Sequence, residues 1–197
     1  MIDELAVLLK KNIILGSKSP RRKFLLEKLD IPFEVQSREV DEDYPDDIKG
    51  IDIALYLSEK KAEAFKKDSF SPDTILITAD TIVWLDGQVL GKPADAKEAF
   101  NTLRALSGRK HQVITGVCLS SSGKQKSFFV STDVYFKELS DAEINYYIEY
   151  YKPYDKAGAY GIQEWIGYIG IERIDGSFYN VMGLPVKALY DELLIFL

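Results

Sequence analysis

Apolar and polar positions along the chain switch between a period near two and a period near three and a half, which predicts strands interleaved with helices. A short helix over 3–10 leads into the apolar run Asn12-Ile13-Ile14-Leu15, a strand over 12–16. Ser19 then supplies an N-cap and Pro20 a first helical position for a helix over 20–29. Pro32 to Ser37 reads as a second strand, and the acidic stretch from Glu39 to Asp47 as a loop. Over 51–67, Ala54, Ser58, Lys61 and Phe65 share one helical face with Leu57 and Ala64. Thr74 to Ala79 is a strand-length run ending at Asp80, and Ile82 to Leu90 reads as strand, Asp86-Gly87 turn, strand. Asp95 caps a helix running to about Leu106, stopped by Ser107-Gly108. Paired strands over 111–119 and 125–137 follow, then a helix over 140–151 opened by Ser140 and Glu143 in capping-box spacing. Strands return near 165–177, and Val186 to Phe196 closes the chain as a helix. The alternation, with hairpins in the middle, predicts a mixed α/β fold. No repeat, low-complexity tract or linker interrupts it, so one domain over 1–197 is expected.

Composition narrows the class. With 46% hydrophobic and 28% charged residues among 197, the chain has the make-up of an ordinary folded protein rather than a disordered one. A net charge of -6 disfavours broad affinity for nucleic acid polymers, so Arg21-Arg22-Lys23 is a local exception on an acidic background. One cysteine and one histidine exclude an internal disulfide and a Cys-rich zinc site, and leave little for Ser-His-Asp or Cys-His catalysis. Cys118 sits in an apolar run and reads as a core thiol; His111 begins a strand and reads as a hydrogen-bonded structural residue. The opening Met1-Ile2-Asp3-Glu4-Leu5 lacks the basic start of a secretory signal, and no stretch approaches the roughly 20 apolar residues that span a bilayer. A cytoplasmic protein without membrane attachment is the expectation.

The basic turn Gly16-Ser17-Lys18-Ser19-Pro20-Arg21-Arg22-Lys23 carries the first candidate chemistry. It crowds cations into a first helical turn where the dipole is already positive. A bound anion resolves the conflict, because free N–H groups at a helix start and paired arginine donors both suit phosphate oxygens. Solvated surface charges are the bland alternative. Asp80, at the end of its predicted strand, would face the same crevice if the strands over 12–16 and 74–79 run parallel. A carboxylate beside phosphates calls for an intervening cation or a role as base. With nitrogen and sulfur ligands nearly absent, the cation would be Mg²⁺ or Mn²⁺, with Glu42 as partner carboxylate. Asp80 could equally be an ordinary turn residue. Lys61 reads either as a snorkelling stem or as a lysine aimed at phosphate, and Lys92 either as a turn lysine or the same. The two familiar phosphate loops, G-x-x-x-x-G-K-[ST] and G-x-G-x-x-G, are missing, and Gly158-Ala159-Tyr160-Gly161 alone says little.

Taken in order, several segments resemble the Maf family. They are Ser17-Lys18-Ser19-Pro20-Arg21-Arg22, Lys61 within Ser58-Glu59-Lys60-Lys61-Ala62, Ala79-Asp80-Thr81, Gly91-Lys92-Pro93, Leu106-Ser107-Gly108, and His111 to Gly116. Asp155-Lys156-Ala157-Gly158-Ala159-Tyr160-Gly161-Ile162-Gln163 and Gly183-Leu184-Pro185 complete the series, which covers about 12–190. Each motif is weak, whereas the ordered set is specific. The resemblance implies a nucleoside triphosphate pyrophosphatase related in fold to the inosine triphosphate pyrophosphatases. That fold would be an elongated mixed β-sheet flanked by helices, in two lobes with a central cleft. It implies Asp80 as proton acceptor, and Ser17, Arg22, Glu42, Lys61 and Lys92 at phosphate-handling and metal positions. The subgroup acting on dTTP and UTP is similar to this chain at Arg21, Thr81 and Gln163, positions linked with base choice.

The resemblance also has departures. Lys18 stands where relatives often carry a small residue, Glu164-Trp165 stand where many have glycine, and residues 1–10 precede the usual start. The expected activity is hydrolysis of dTTP and UTP, with modified pyrimidine nucleotides among the candidates, to the monophosphate and pyrophosphate. An enzyme acting on 7-methyl-GTP keeps the chemistry and changes the base. A non-catalytic nucleotide sensor is the rival from another class, because the family's name comes from an effect on bacterial septum formation. A homodimer is a candidate assembly.

Overall fold

The computed structural model describes residues 3–66, 68 and 70–197. Its elements, in chain order, are α1 (Asp3–Leu8), β1 (Asn12–Gly16), α2 (Pro20–Glu27), β2 (Phe33–Gln36) and α3 (Ile51–Glu63). Then come β3 (Thr74–Leu85), β4 (Gln88–Leu90), α4 (Ala96–Leu106), β5 (Lys110–Ser120), β6 (Gln125–Phe136) and α5 (Asp141–Tyr151). A 3-10 turn (Ala157–Ala159), α6 (Trp165–Gly170), β7 (Ile171–Asp175), α7 (Phe178–Met182) and α8 (Val186–Phe196) complete the chain. Among the described residues the strands form one mixed seven-stranded sheet in the order β2-β1-β3-β5-β6-β7, with β4 also paired to β3. The chain is therefore α/β, a mixed sheet with helices flanking it. No helix among the described residues is long and apolar enough to cross a membrane.

The chain divides into two compact units. The first takes Met1–Asp80, Thr115–Val130 and Gly183–Leu197. In it β1 pairs in parallel with β2 and with β3, Ile13 lying opposite Phe33 on one side and Ile75 on the other. Ile14, Leu76, Ala62, Phe65 and Cys118 form one buried cluster, and α1 packs on α8. The Cys118 thiol is fully buried, and burial pushes its pKa up to about 11. Gly116 is where β5 meets α3 backbone to backbone: a Cβ there would lie 2.3 Å from the Ala54 carbonyl oxygen. Only glycine allows that approach, which seats α3 hard against the sheet.

The second unit takes Thr81–Ile114 and Ser131–Met182. The β3–β4 hairpin turns at Asp86 (φ 50°) and Gly87 (φ 82°), both left-handed as the predicted two-residue turn requires. Helix α4 packs against α5 and the 3-10 turn. Ser140 and Glu143 close the expected capping box on α5. His111, Phe136 and Tyr160 meet edge to face, and His111 Nε2 lies 2.7 Å from the Tyr160 hydroxyl. His111 is thus buried and hydrogen-bonded.

Four expectations change. The predicted strand ending at Asp80 and the one starting at Ile82 are a single strand of 12 residues, so Asp80 stands in the middle of β3. Polar Asp80 and Thr81 looked like a break, but an acid within a strand is tolerated once its charge is paired. The predicted strand at 165–170 is instead α6, where Ile166 and Gly170 bury at helical spacing. Gly167 permits this coil, since a Cβ there would lie 1.8 Å from the Ile162 carbonyl oxygen. Helix α2 stops at Glu27, ahead of left-handed Asp30 (φ 53°). Helix α3 stops at Glu63, short of the expected end at Lys67, which lies outside the described residues.

Candidate active site

In the first unit, the apolar strand β1 delivers the basic turn, and Ser17 starts the turn buried. Its backbone N–H donates to the Leu15 carbonyl at 3.0 Å, and its Oγ accepts from the Ser19 N–H at 3.2 Å. Ser19 is the N-cap, its hydroxyl accepting from the Arg22 N–H at 3.4 Å, and Pro20 opens α2 as expected. The Arg22 guanidinium is held twice: Nε donates to the Gly183 carbonyl at 2.9 Å, and Nη1 to Ser17 Oγ at 3.4 Å. Burial pushes this guanidinium below its ordinary pKa. Asp80 pulls it back up, Arg21 adds to the push, and Glu42 opposes it. Arg21, Glu42 and Asp80 therefore all act electrostatically on Arg22.

Asp80 and Lys61 meet through a local lock between strand and helix. Thr78 Oγ1 donates to the Ser58 carbonyl of α3 at 2.7 Å. Asp80 lies two residues beyond Thr78, on the same strand face, and Lys61 lies one helical turn beyond Ser58. Their side chains come together: Lys61 Nζ donates to Asp80 Oδ1 in a short contact, with the Asp80 side chain 8% exposed and that of Lys61 17%. The same ammonium donates to Glu42 Oε1 at 3.1 Å. Lys61 is thus the positive centre between two carboxylates.

The acidic loop reaches this point because lysines fasten it. Lys18 pairs with Glu39 at 3.1 Å and Lys60 with Asp43 at 2.7 Å, on either side of the Glu42–Lys61 contact. The Lys60 hydrogen bond holds the Asp43 carboxyl below its usual range.

Two hard carboxylate oxygens around one cation form a donor set that suits Mg²⁺ or Mn²⁺, which commonly take one or two carboxylates and fill the remaining positions with phosphate oxygens and water. Among the described residues no group of three or more His, Cys, Asp or Glu side chains could hold a metal by itself. Glu42 and Asp80 therefore fit a metal shared with a ligand, rather than one caged by protein alone.

The remaining candidates lie in the second unit. Thr81 follows Asp80 on β3, and Lys92 is exposed just after β4. The Gly91 carbonyl accepts from the Gly158 N–H at 3.1 Å, which joins the segment bearing Lys92 to the one leading to Gln163. Gly158 has a φ of 69°, and a Cβ there would lie 2.8 Å from Val83 Cγ2. The Oε1 of Gln163 is buried with no hydrogen-bond partner.

Two contributors had no role assigned from the sequence. Gly183, in the Gly183-Leu184-Pro185 segment that carries the resemblance, has a φ of 114°, and its carbonyl holds Arg22 from far along the chain. Thr78 looks like one more strand residue, although its hydroxyl locks β3 to α3.

The sequence profile described as Maf-like protein matches residues 12–196. The chain is 58% identical to a dTTP/UTP pyrophosphatase of Parabacteroides distasonis, over 93% of this chain and 95% of that protein. It is 56% identical to a dTTP/UTP pyrophosphatase of Porphyromonas gingivalis, over 98% of this chain and 96% of that one. Among solved structures it is similar to a HAM1 protein from Coxiella burnetii at 14% identity and a TM-score of 0.45, covering 64% of this chain and 73% of that one. That last likeness is too distant to bear on the site.

Proposed function

The chain belongs to the Maf-like protein family, and on that premise we propose that it hydrolyses dTTP and UTP to the nucleoside monophosphate and pyrophosphate. The observation that carries this reading is the Lys61 ammonium held between Glu42 and Asp80, in the unit where the half-buried Arg22 guanidinium feels both acids.

The triphosphate rests on the basic turn, where Arg21, Arg22 and the N–H groups at the start of α2 meet its oxygens. Ser17 and the Gly183 carbonyl keep Arg22 oriented. Asp80 accepts the proton of the attacking water, and Lys61, already its neighbour, offsets charge gathering on the phosphate oxygens. Glu42 and Asp80 are the residues that would hold a divalent cation together with the substrate. When bound, that cation supplies charge neutralisation and a more acidic water. Thr81, Lys92 and Gln163 receive their roles from the resemblance: Lys92 at phosphate, and Thr81 and Gln163 at the base. The Gln163 amide both donates and accepts, which suits the edge of uracil or thymine. A thymine methyl adds little discrimination, so one site serves both nucleotides. The cytoplasm is the compartment that fits this substrate.

Pyrophosphate release from UTP, dTTP, GTP, ATP and 7-methyl-GTP, with Mg²⁺ and with Mn²⁺, tests the reading. UTP and dTTP are expected to be turned over fastest, giving pyrophosphate rather than phosphate. Equal rates across the panel, or binding without hydrolysis, overturn it.

A further inference from the structure

The base-binding role of Gln163 places weight on whatever holds that residue still. The answer lies beneath it, in a buried polar cluster that the proposed chemistry does not use. Tyr147 projects from α5 and is fully buried. Its hydroxyl accepts from the Gly161 N–H at 3.0 Å and donates to Glu164 Oε2 in a short contact. Gly161 and Glu164 bracket Gln163 in the chain, so one hydroxyl grips the segment on both sides of that amide.

Glu164 is held from the other direction as well. Lys156, with its side chain 9% exposed, pairs with Glu164 at 3.1 Å and with Asp155 at 2.7 Å. The segment from Asp155 to Glu164 is therefore closed on itself by a Lys156–Glu164–Tyr147–Gly161 chain of polar contacts. The fold inside it is tight. A Cβ at Gly161 would lie 2.8 Å from Glu164 Cδ and 3.2 Å from Gln163 Nε2. Gln163 Oε1 is left buried with no partner. A buried acceptor without a donor is costly, and the cost is removed when the amide turns that oxygen to a ligand N–H. Because the surrounding polar atoms are already satisfied by one another, the segment does not have to be ordered at the moment of binding.

We infer that the Tyr147 hydroxyl, acting with Glu164, is a positioning device for base selection: it presets the Gln163 amide for the imide edge of a pyrimidine. Tyr147 touches neither phosphate nor the reacting atoms, so its effect falls on recognition rather than on bond breaking. The inference rests on the pyrimidine triphosphatase reading above.

The test compares Tyr147→Phe, Glu164→Gln and Glu164→Ala with the unaltered chain. Pyrophosphate release from UTP and from GTP is measured with Mg²⁺, melting curves check folding, and amide exchange is followed over 155–164. In Tyr147→Phe, kcat/KM for UTP relative to GTP is expected to fall about tenfold, the size of one displaced hydrogen-bonding contact. KM should carry the loss, with kcat within about twofold of its starting value, and the Gly161 amide should exchange faster. Glu164→Gln keeps an oxygen that accepts from Tyr147 and should retain most of the preference, whereas Glu164→Ala should lose it. A folded Tyr147→Phe with unchanged preference, or with Gly161 exchanging as slowly as before, overturns the inference. If Tyr147→Phe fails to fold, the Glu164 pair decides, and identical behaviour of the two overturns it. An unaltered chain that releases no pyrophosphate from UTP sinks the pyrophosphatase reading instead, and exchange at Gly161 still decides whether the tether exists.

Discussion

The Thr78 hydroxyl donates to the Ser58 carbonyl at 2.7 Å, and this bond sets the register between β3 and α3 from which Asp80 and Lys61 converge. Strand and helix periods do the rest: two residues along one element and one turn along the other bring a carboxylate to an ammonium. Removing the hydroxyl should therefore affect both stability and catalysis. Thr78→Val keeps the shape but removes this buried hydrogen bond, while the Ser58 carbonyl keeps its bond within α3, so a loss of about 0.5–1.5 kcal/mol is expected in urea unfolding. Turnover of UTP should fall in the same variant, because the Lys61–Asp80 pair loses its register.

Asp80→Asn separates the acid's chemical role from its structural one. The amide occupies the same space but cannot accept the proton of water, so kcat should drop by about 10²–10⁴-fold. UTP binding, followed by calorimetry, should survive, since the basic turn is untouched. Normal hydrolysis by this variant would falsify the assignment of Asp80 as base.

Gly116→Ala probes the close approach that seats α3. A methyl group 2.3 Å from the Ala54 carbonyl oxygen cannot be accommodated without moving the helix. Destabilisation of about 1–3 kcal/mol or more is expected, read as a lower melting temperature. Activity should fall with it, because α3 carries Lys61.

Burial pushes the His111 imidazole down to about 4, with Asp133 opposing. Between that value and the ordinary 6.5, the unfolded chain binds a proton that the native chain does not. Stability from this source is complete above 6.5 and is lost as pH falls toward 4, by something on the order of 3 kcal/mol. Denaturation followed from pH 7 to 4 should show that slope, and His111→Asn should flatten it.

Much of this was legible in the sequence because the signals were local. The Ser19-Pro20 helix start, the Asp86-Gly87 turn and the Ser140–Glu143 capping box each depend on neighbours a few residues apart, and each stands as expected. Asp80 misled because a polar residue in an apolar run looks like a terminus, when its pairing with Lys61 lets the strand continue. Trp165 to Gly170 misled because a short run of aromatic and β-branched residues suggests a strand. The glycine contact with Ile162 that favours a helix is visible only once the chain has folded. Among the site candidates, Ser17, Arg21, Arg22, Glu42, Lys61 and Asp80 fall within one unit. The supports of that group, Thr78 and the Gly183 carbonyl, act through contacts that no spacing rule encodes.

The lysine fastenings of the acidic loop carry a further consequence. Lys18–Glu39 and Lys60–Asp43 have at least one solvent-exposed member each, so mobile ions compete with them far more readily than with the Lys61–Asp80 pair beneath. Brine thus acts as a selective solvent for one segment, slackening the strap from Glu39 to Asp47 while the sheet under it stays intact. Protease nicking there, followed across a salt series, would report how firmly the strap is tied down.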